Sequence, residues 1–118
     1  MTHQELVDHL VGIGWSVDHL TGKDGNTYLV IHDYEITSGR LKGTKADIGI
    51  LKTAGAPYTA PAAIHTKPHL VPMDMQSSLR TQASGIGAEW QYWSRLLRGI
   101  PTPKAFVVQI ATIFSEVH

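Results

Sequence analysis

Two histidines four residues apart, His65 and His69, are the first groups in this chain with chemistry to offer. An imidazole titrates near neutrality, so either ring can accept or return a proton. On a helix the H-x-x-x-H spacing would aim both rings at one metal ion. Pro68 interrupts the run, however, and its neighbours read as extended. Catalytic zinc also wants three protein ligands, and the nearest further donor is Asp74, five residues on. The pair therefore reads as metal-free: a catalytic pair, or two histidines on a solvent-facing edge strand. The 118 residues include no cysteine, which excludes thiol nucleophiles, thiolate metal sites and a disulfide framework. No cofactor is expected. A third histidine, His32, falls between Val30 and Tyr34 on an apolar strand face and reads as a core histidine satisfied by neighbouring hydroxyls.

Elements that could position these groups are legible along the whole chain. Length allows a single domain over residues 1–118, large enough for a core without staples. Thr2 and Glu5 have capping-box spacing, and Leu6, Leu10 and Ile13 share one face, so Thr2–Ile13 reads as a helix. Trp15–Leu20 reads as a short strand and Gly22–Asn26 as a hairpin turn. Thr27–Ile36 is the strongest strand, with Tyr28, Val30, His32, Tyr34 and Ile36 on one face and Leu29 and Ile31 on the other. Lys45–Leu51 alternates Ala46, Ile48 and Ile50 against Lys45, Asp47 and Gly49. Ala62–Leu70 reads as an edge strand, because Pro68 cannot donate to a ladder. Val71–Gly87 reads as a long loop. Ala88–Arg98 reads as a helix anchored by Trp90, Trp93 and Leu97. Thr102 and Pro103 start a last helix whose stripe is Val107, Ile110, Phe114 and Val117, widened by Ala111. Strands grouped between terminal helices predict an α+β fold: one helix, a four-stranded antiparallel meander, a long loop and two helices.

Ten basic and ten acidic residues leave no net charge and form no basic block, so no nucleic-acid partner is expected. No apolar run reaches the ~20 residues of a membrane span, and the polar start MTHQELVDH does not read as a secretory signal. A cytoplasmic location is the expectation.

Ser38–Leu70, reading SGRLKGTKADIGILKTAGAPYTAPAAIHTKPHL, resembles the centre of the ubiquitin-conjugating enzyme fold. Gly39 and Gly43 stand at its turn, Asp47–Leu51 in its alternating strand, and Ala56, Pro57, Tyr58 and Pro61 in its proline loop. Lys67, Pro68 and His69 stand where that family has His-Pro-Asn. The run Glu89-Trp90-Gln91-Tyr92-Trp93-Ser94-Arg95 resembles a bacterial branch of the superfamily, the prokaryotic ubiquitin-conjugating-like family E. Some members of that branch carry a histidine where this chain has Leu96. The likeness extends from about Thr27 to Val117.

The resemblance implies a conjugating-type transferase in a ubiquitin-like protein pathway, with a ubiquitin-like protein and its activating enzyme as partners. The family's cysteine position, eight residues beyond the asparagine position, holds Ser77 here, with Ser78 beside it. Ser77 would carry the acyl group as an oxyester, and His69 or His65 would take the hydroxyl proton or stabilise the oxyanion. The plain alternative is two solvent-facing loop serines. On the same resemblance Gln4, Glu5 and Asp8 of the first helix would meet the activating enzyme, and Pro57 and Tyr58 would face a partner. Trp90 and Trp93 anchor a core helix, and Arg95 can pin the loop through Asp74 or Glu89. Three functions stay open: acyl transfer through serine, a non-catalytic binding variant of the same fold, and a small histidine-based hydrolase or metal enzyme.

Overall fold

A computed structural model describes residues 2–52, 63–71, 81–94 and 102–117, with the backbone alone at 81 and 82. Helix α1 spans His3–Gly12 and helix α2 Pro103–Ser115. Between them run β1 (Ser16–Thr21), β2 (Thr27–Glu35), β3 (Lys45–Leu51), β4 (Ala63–Lys67), β5 (Thr81–Ala83) and β6 (Gln91–Ser94). All pair antiparallel in one sheet of order β1-β2-β3-β4-β6-β5. The α+β class, the first helix and a four-stranded meander are present. The sheet then continues: the chain crosses to the far edge as β5 and returns as β6 beside β4.

Both helices begin on a threonine cap. Thr2 Oγ1 accepts the Glu5 N–H at 3.1 Å and Thr102 Oγ1 accepts the Ala105 N–H at 3.2 Å, satisfying donors that a helix start leaves open. Both helices pack on the same side of the sheet. There Leu6, Leu10, Leu29, Ile31, Ile48, Ile50, Ile64, Trp93, Phe106, Ile110 and Phe114 form the main core. Among the described residues, the opposite side carries a smaller apolar cluster of Tyr28, Val30, Ile86 and Trp90, with Leu51 at its margin.

Several expectations are corrected here. The predicted helix Ala88–Arg98 is interrupted by strand β6, so the described residues include two helices rather than three. Trp90 and Trp93, three residues apart, fit a helical stripe or opposite faces of a strand. Aromatic pairing on β4 decides for the strand, with Ile64 opposite Trp93 and His65 opposite Tyr92. Trp93 therefore enters the main core and Trp90 the small cluster on the other side. Arg95 and Leu97 lie outside the described residues. Segment Ala63–Lys67 is not an edge strand but lies between β3 and β6. Pro68 follows the last ladder pair, Asp47 with Lys67, so its missing N–H interrupts nothing. Thr81–Ala83, expected as loop, is strand β5.

Strand β2 changes faces midway. Its pairing with β3 shifts register between Ile31 and Tyr34, and Asp33 adopts φ 52°. This is a β-bulge, and one extra residue inverts the alternation beyond it. Tyr34 and Ile36 thus join Leu29 and Ile31 in the main core instead of sharing a face with Tyr28 and Val30. His32 is not a core histidine either. Its side chain is 36% exposed and faces two carboxylates. The stripe of α2 is rotated as well. Phe106, Ile110, Ile113 and Phe114 are buried, while Val107 lies at the flank and Ile13 of the first helix region is exposed.

Candidate functional site

On the side of the sheet opposite α1 and α2, the described residues form an open groove. Two loops from opposite ends of the sheet meet across it. In the β1–β2 turn, the Lys23 and Asp24 N–H groups donate to the Ile86 and Gly85 carbonyls, each at 3.0 Å. Ile86 and Trp90 are thereby held down on the strands, and Gly49 of β3 makes room for them. A Cβ at position 49 would come within 2.9 Å of Ile86 Cδ1 and 3.2 Å of Trp90 Cζ3. Beside this bridge the groove encloses roughly 750 Å³, walled by Trp90, Ile86, Val30 and Leu20 and lined by Asp18, His32, Asp47, Lys67 and Glu89.

Its polar groups come in two sets. His32 stands between Asp18 of β1, Nε2 to carboxylate 3.5 Å, and Asp47 of β3, Nδ1 to carboxylate 3.7 Å. Asp47 Oδ1 also accepts the Asp33 N–H at 3.0 Å, so one carboxylate secures both the histidine and the bulge that follows it. Lys67 pairs with Glu89 at 3.3 Å across the other end. Exposed pairs of this kind contribute little to stability. They leave charges of both signs at the rim, available to a ligand.

His65, predicted as a catalytic candidate, is buried in β4. Its Nδ1 and the Ser84 hydroxyl share a 2.7 Å hydrogen bond, and Ser84 Oγ also accepts the Ile86 N–H at 3.1 Å. Tyr28 and Tyr92 meet its ring edge-on, with centroids at 5.0 and 5.3 Å. Burial lowers its pKa to about 4, a fall only partly opposed by Asp24. Tyr28 donates its hydroxyl to Asp24. Burial and that bond raise the tyrosine to about 12, and the same bond lowers the Asp24 carboxyl. A histidine this reluctant to take a proton is a weak general base at neutral pH. Its contacts instead fasten the β5–β6 loop to the sheet.

His69 is exposed and donates Nε2–H to the Ala88 carbonyl at 3.0 Å. His65 and His69 thus both bind the loop before β6, at separate points. The segment between β4 and residue 71 is fixed further by Gln91, which is fully buried. Its Oε1 accepts the Leu70 and Val71 N–H groups at 3.0 and 3.4 Å, and its Nε2 donates to the Val71 carbonyl at 2.7 Å. Trp93 Nε1 donates to Thr66 Oγ1 at 3.0 Å.

Ser77, Ser78, Pro57 and Tyr58 lie outside the described residues. Gln4, Glu5 and Asp8 are exposed on α1, where Gln4 Nε2 donates to Asp8 Oδ1 at 2.8 Å. Among the described residues no group of three or more His, Asp or Glu side chains is placed to hold a metal ion, and no helix is long and apolar enough to cross a membrane. Sequence reasoning missed Ser84, Gln91, Asp18 and Asp47 as site residues. The first two meet their partners across 19 and 20 or more positions, and no local pattern signals such a contact. Asp18 and Asp47 converge on His32 only because β1 and β3 flank β2. Compared with protein-family models, with curated proteins and with solved structures, the chain finds no match.

Proposed function

We propose that this chain is a binding module of the ubiquitin-conjugating type, taking a ubiquitin-like protein in its open-face groove rather than carrying it covalently. One contrast carries the reading. The two histidines expected to activate a serine are engaged in fastening loops, and one is held near pKa 4, whereas the described residues form an open groove of roughly 750 Å³ with charged rims on the side opposite α1 and α2. The resemblance in Ser38–Leu70 and Glu89–Arg95, together with a helix followed by a four-stranded meander, supports the choice of partner. Apolar walls with a few convergent polar groups are the ordinary make-up of a recognition site.

The test is incubation of the purified chain with a bacterial ubiquitin-like protein, its activating enzyme and ATP. The expected result is saturable complex formation by calorimetry, weakened at least about tenfold by Trp90→Ala or Lys67→Glu, with no covalent product on denaturing gels. An adduct that hydroxylamine cleaves and thiols do not would replace binding by acyl transfer. Absence of any complex removes the ubiquitin-like partner.

A further inference from the structure

We propose that the outer edge of β1 takes an extended segment of a partner protein as an added antiparallel strand, with an apolar residue opposite Leu20 and, two positions later, a lysine or arginine opposite Asp18. Strand β1 ends the sheet and pairs with β2 on one side only. The direction of its backbone groups follows from the hairpin. Gly22 N–H donates to the Asn26 carbonyl at 2.8 Å, and antiparallel pairs then alternate along the register. Leu20, Asp18 and Ser16 therefore bond to Tyr28, Val30 and His32, while Thr21, His19 and Val17 turn their N–H and C=O groups outward. The Thr27 carbonyl, opposite Thr21, agrees with this phase, because it accepts the Lys52 N–H at 2.9 Å on the β3 side. Among the described residues no hydrogen bond reaches the outward groups of Val17, His19 and Thr21. Water satisfies them in the free chain. A protein ligand that matches all of them in line is an extended backbone.

Sheet edges are ordinarily protected by short length, proline, lysine or a bulge. The far edge, β5, is three residues long. Strand β1 is six residues long, pairs with β2 without a register shift, and contains no proline, lysine or arginine. Its side chains choose between occupants. A second copy of the chain could pair antiparallel over five of the six residues in two registers. One sets Asp18 against its own copy and the other sets it against Leu20, and neither match is complementary. A different chain can answer both residues at once, since Asp18 and Leu20 lie two apart on the groove side. His32 stands 3.5 Å from the Asp18 carboxylate on its β2 side, yet Asp18 remains 78% exposed. Leu20 is exposed as well. An apolar residue beside Leu20 and a cation beside Asp18 are the cross-strand pairs this edge favours.

The proposal shares with the reading above only that the chain binds a protein; it needs no ubiquitin-like identity. The test uses four capped peptides on the whole chain, followed by amide hydrogen exchange. Each is built on threonine, which favours extended backbone. The first carries leucine and, two residues later, arginine. The second has glutamate for arginine, the third reverses the order, and the fourth is the first with the threonines that would face β1 N-methylated. The first is expected to bind saturably and to slow exchange at Val17, His19 and Thr21 at least about tenfold, the signature of new backbone bonds. The other three are expected to bind at least about tenfold more weakly, through loss of charge complementarity, of register or of backbone donors. Asp18→Lys is expected to reverse the preference between the arginine and glutamate peptides. The proposal is overturned by equal binding of the N-methylated peptide, by exchange unchanged at those three residues, or by no saturable binding at millimolar peptide. Slowing of the same amides with rising chain concentration alone would make a second copy the occupant and overturn it too. If the ubiquitin-like protein binds and Trp90→Ala weakens it while these peptides fail, the edge proposal alone falls; the reverse outcome removes only the groove reading.

Discussion

The two sides of the sheet are built on different principles. The helix-covered side buries Trp93, Phe106, Ile110, Phe114 and the leucines and isoleucines Leu6, Leu10, Leu29, Ile31, Ile36, Ile48, Ile50 and Ile64 below 2% exposure, and holds by apolar packing. Among the described residues, the side opposite α1 and α2 buries the apolar cluster of Tyr28, Val30, Ile86 and Trp90, and relies on a bridge of two loops, a buried histidine bonded to a serine, and pairs of exposed charges. Stability is concentrated on one side and adaptable chemistry on the other.

The widest separation between the two sides comes from the paired tryptophans. Trp93→Ala is expected to cost ~3–5 kcal/mol, the range for a buried large aromatic, while Trp90→Ala costs about 2 kcal/mol because its cluster is open on one side and can collapse. Urea unfolding of both variants measures the difference; equal losses would erase the distinction between the faces. Acid acts on the open side. The His65 pKa is lowered from 6.5 to about 4 in the folded chain. Above pH 6.5 the ring is neutral folded or unfolded and its contribution is complete. Below that the unfolded chain takes the proton first, so up to ~3 kcal/mol is lost progressively as pH falls toward 4. A pH series of unfolding curves should show this loss, and His65→Asn should flatten it. Gly49→Ala is expected to cost ~1–3 kcal/mol by pushing Ile86 and Trp90 off the strands, with amide exchange quickened at residues 85–90 and unchanged in α2. Asp18→Asn marks the lower end. Its carboxylate is 78% exposed, so stability should stay within ~0.5 kcal/mol of the parent while ligand affinity in the groove changes.

What the sequence disclosed follows the same division. Helix α1, strands β1 to β3 and helix α2 were readable because caps, turns and periodicity are local. Strand β4 was readable as a strand but not as a central one, since Pro68 signals an edge only when it sits inside the ladder. Strand β6 was misread because Trp90 and Trp93 satisfy two periods at once, and the pairing that chooses between them lies on β4. At the site, the sequence drew attention to His65 and His69 as catalytic candidates. Their tasks were not legible, because Ser84 and Ala88 reach them through the tertiary fold.

The bulge at Asp33 has a genetic consequence. A strand alternates with period two, so every residue after the bulge is in the opposite phase from the residues before it. Deleting Asp33 would restore a single phase and send Tyr34 and Ile36 to the groove side without altering either one. For this stretch of the chain, length is as much a determinant of which face a residue serves as its chemical identity. Homologous strands would then be aligned correctly only if a one-residue gap at this point is treated as a reversal of faces rather than as a neutral loss.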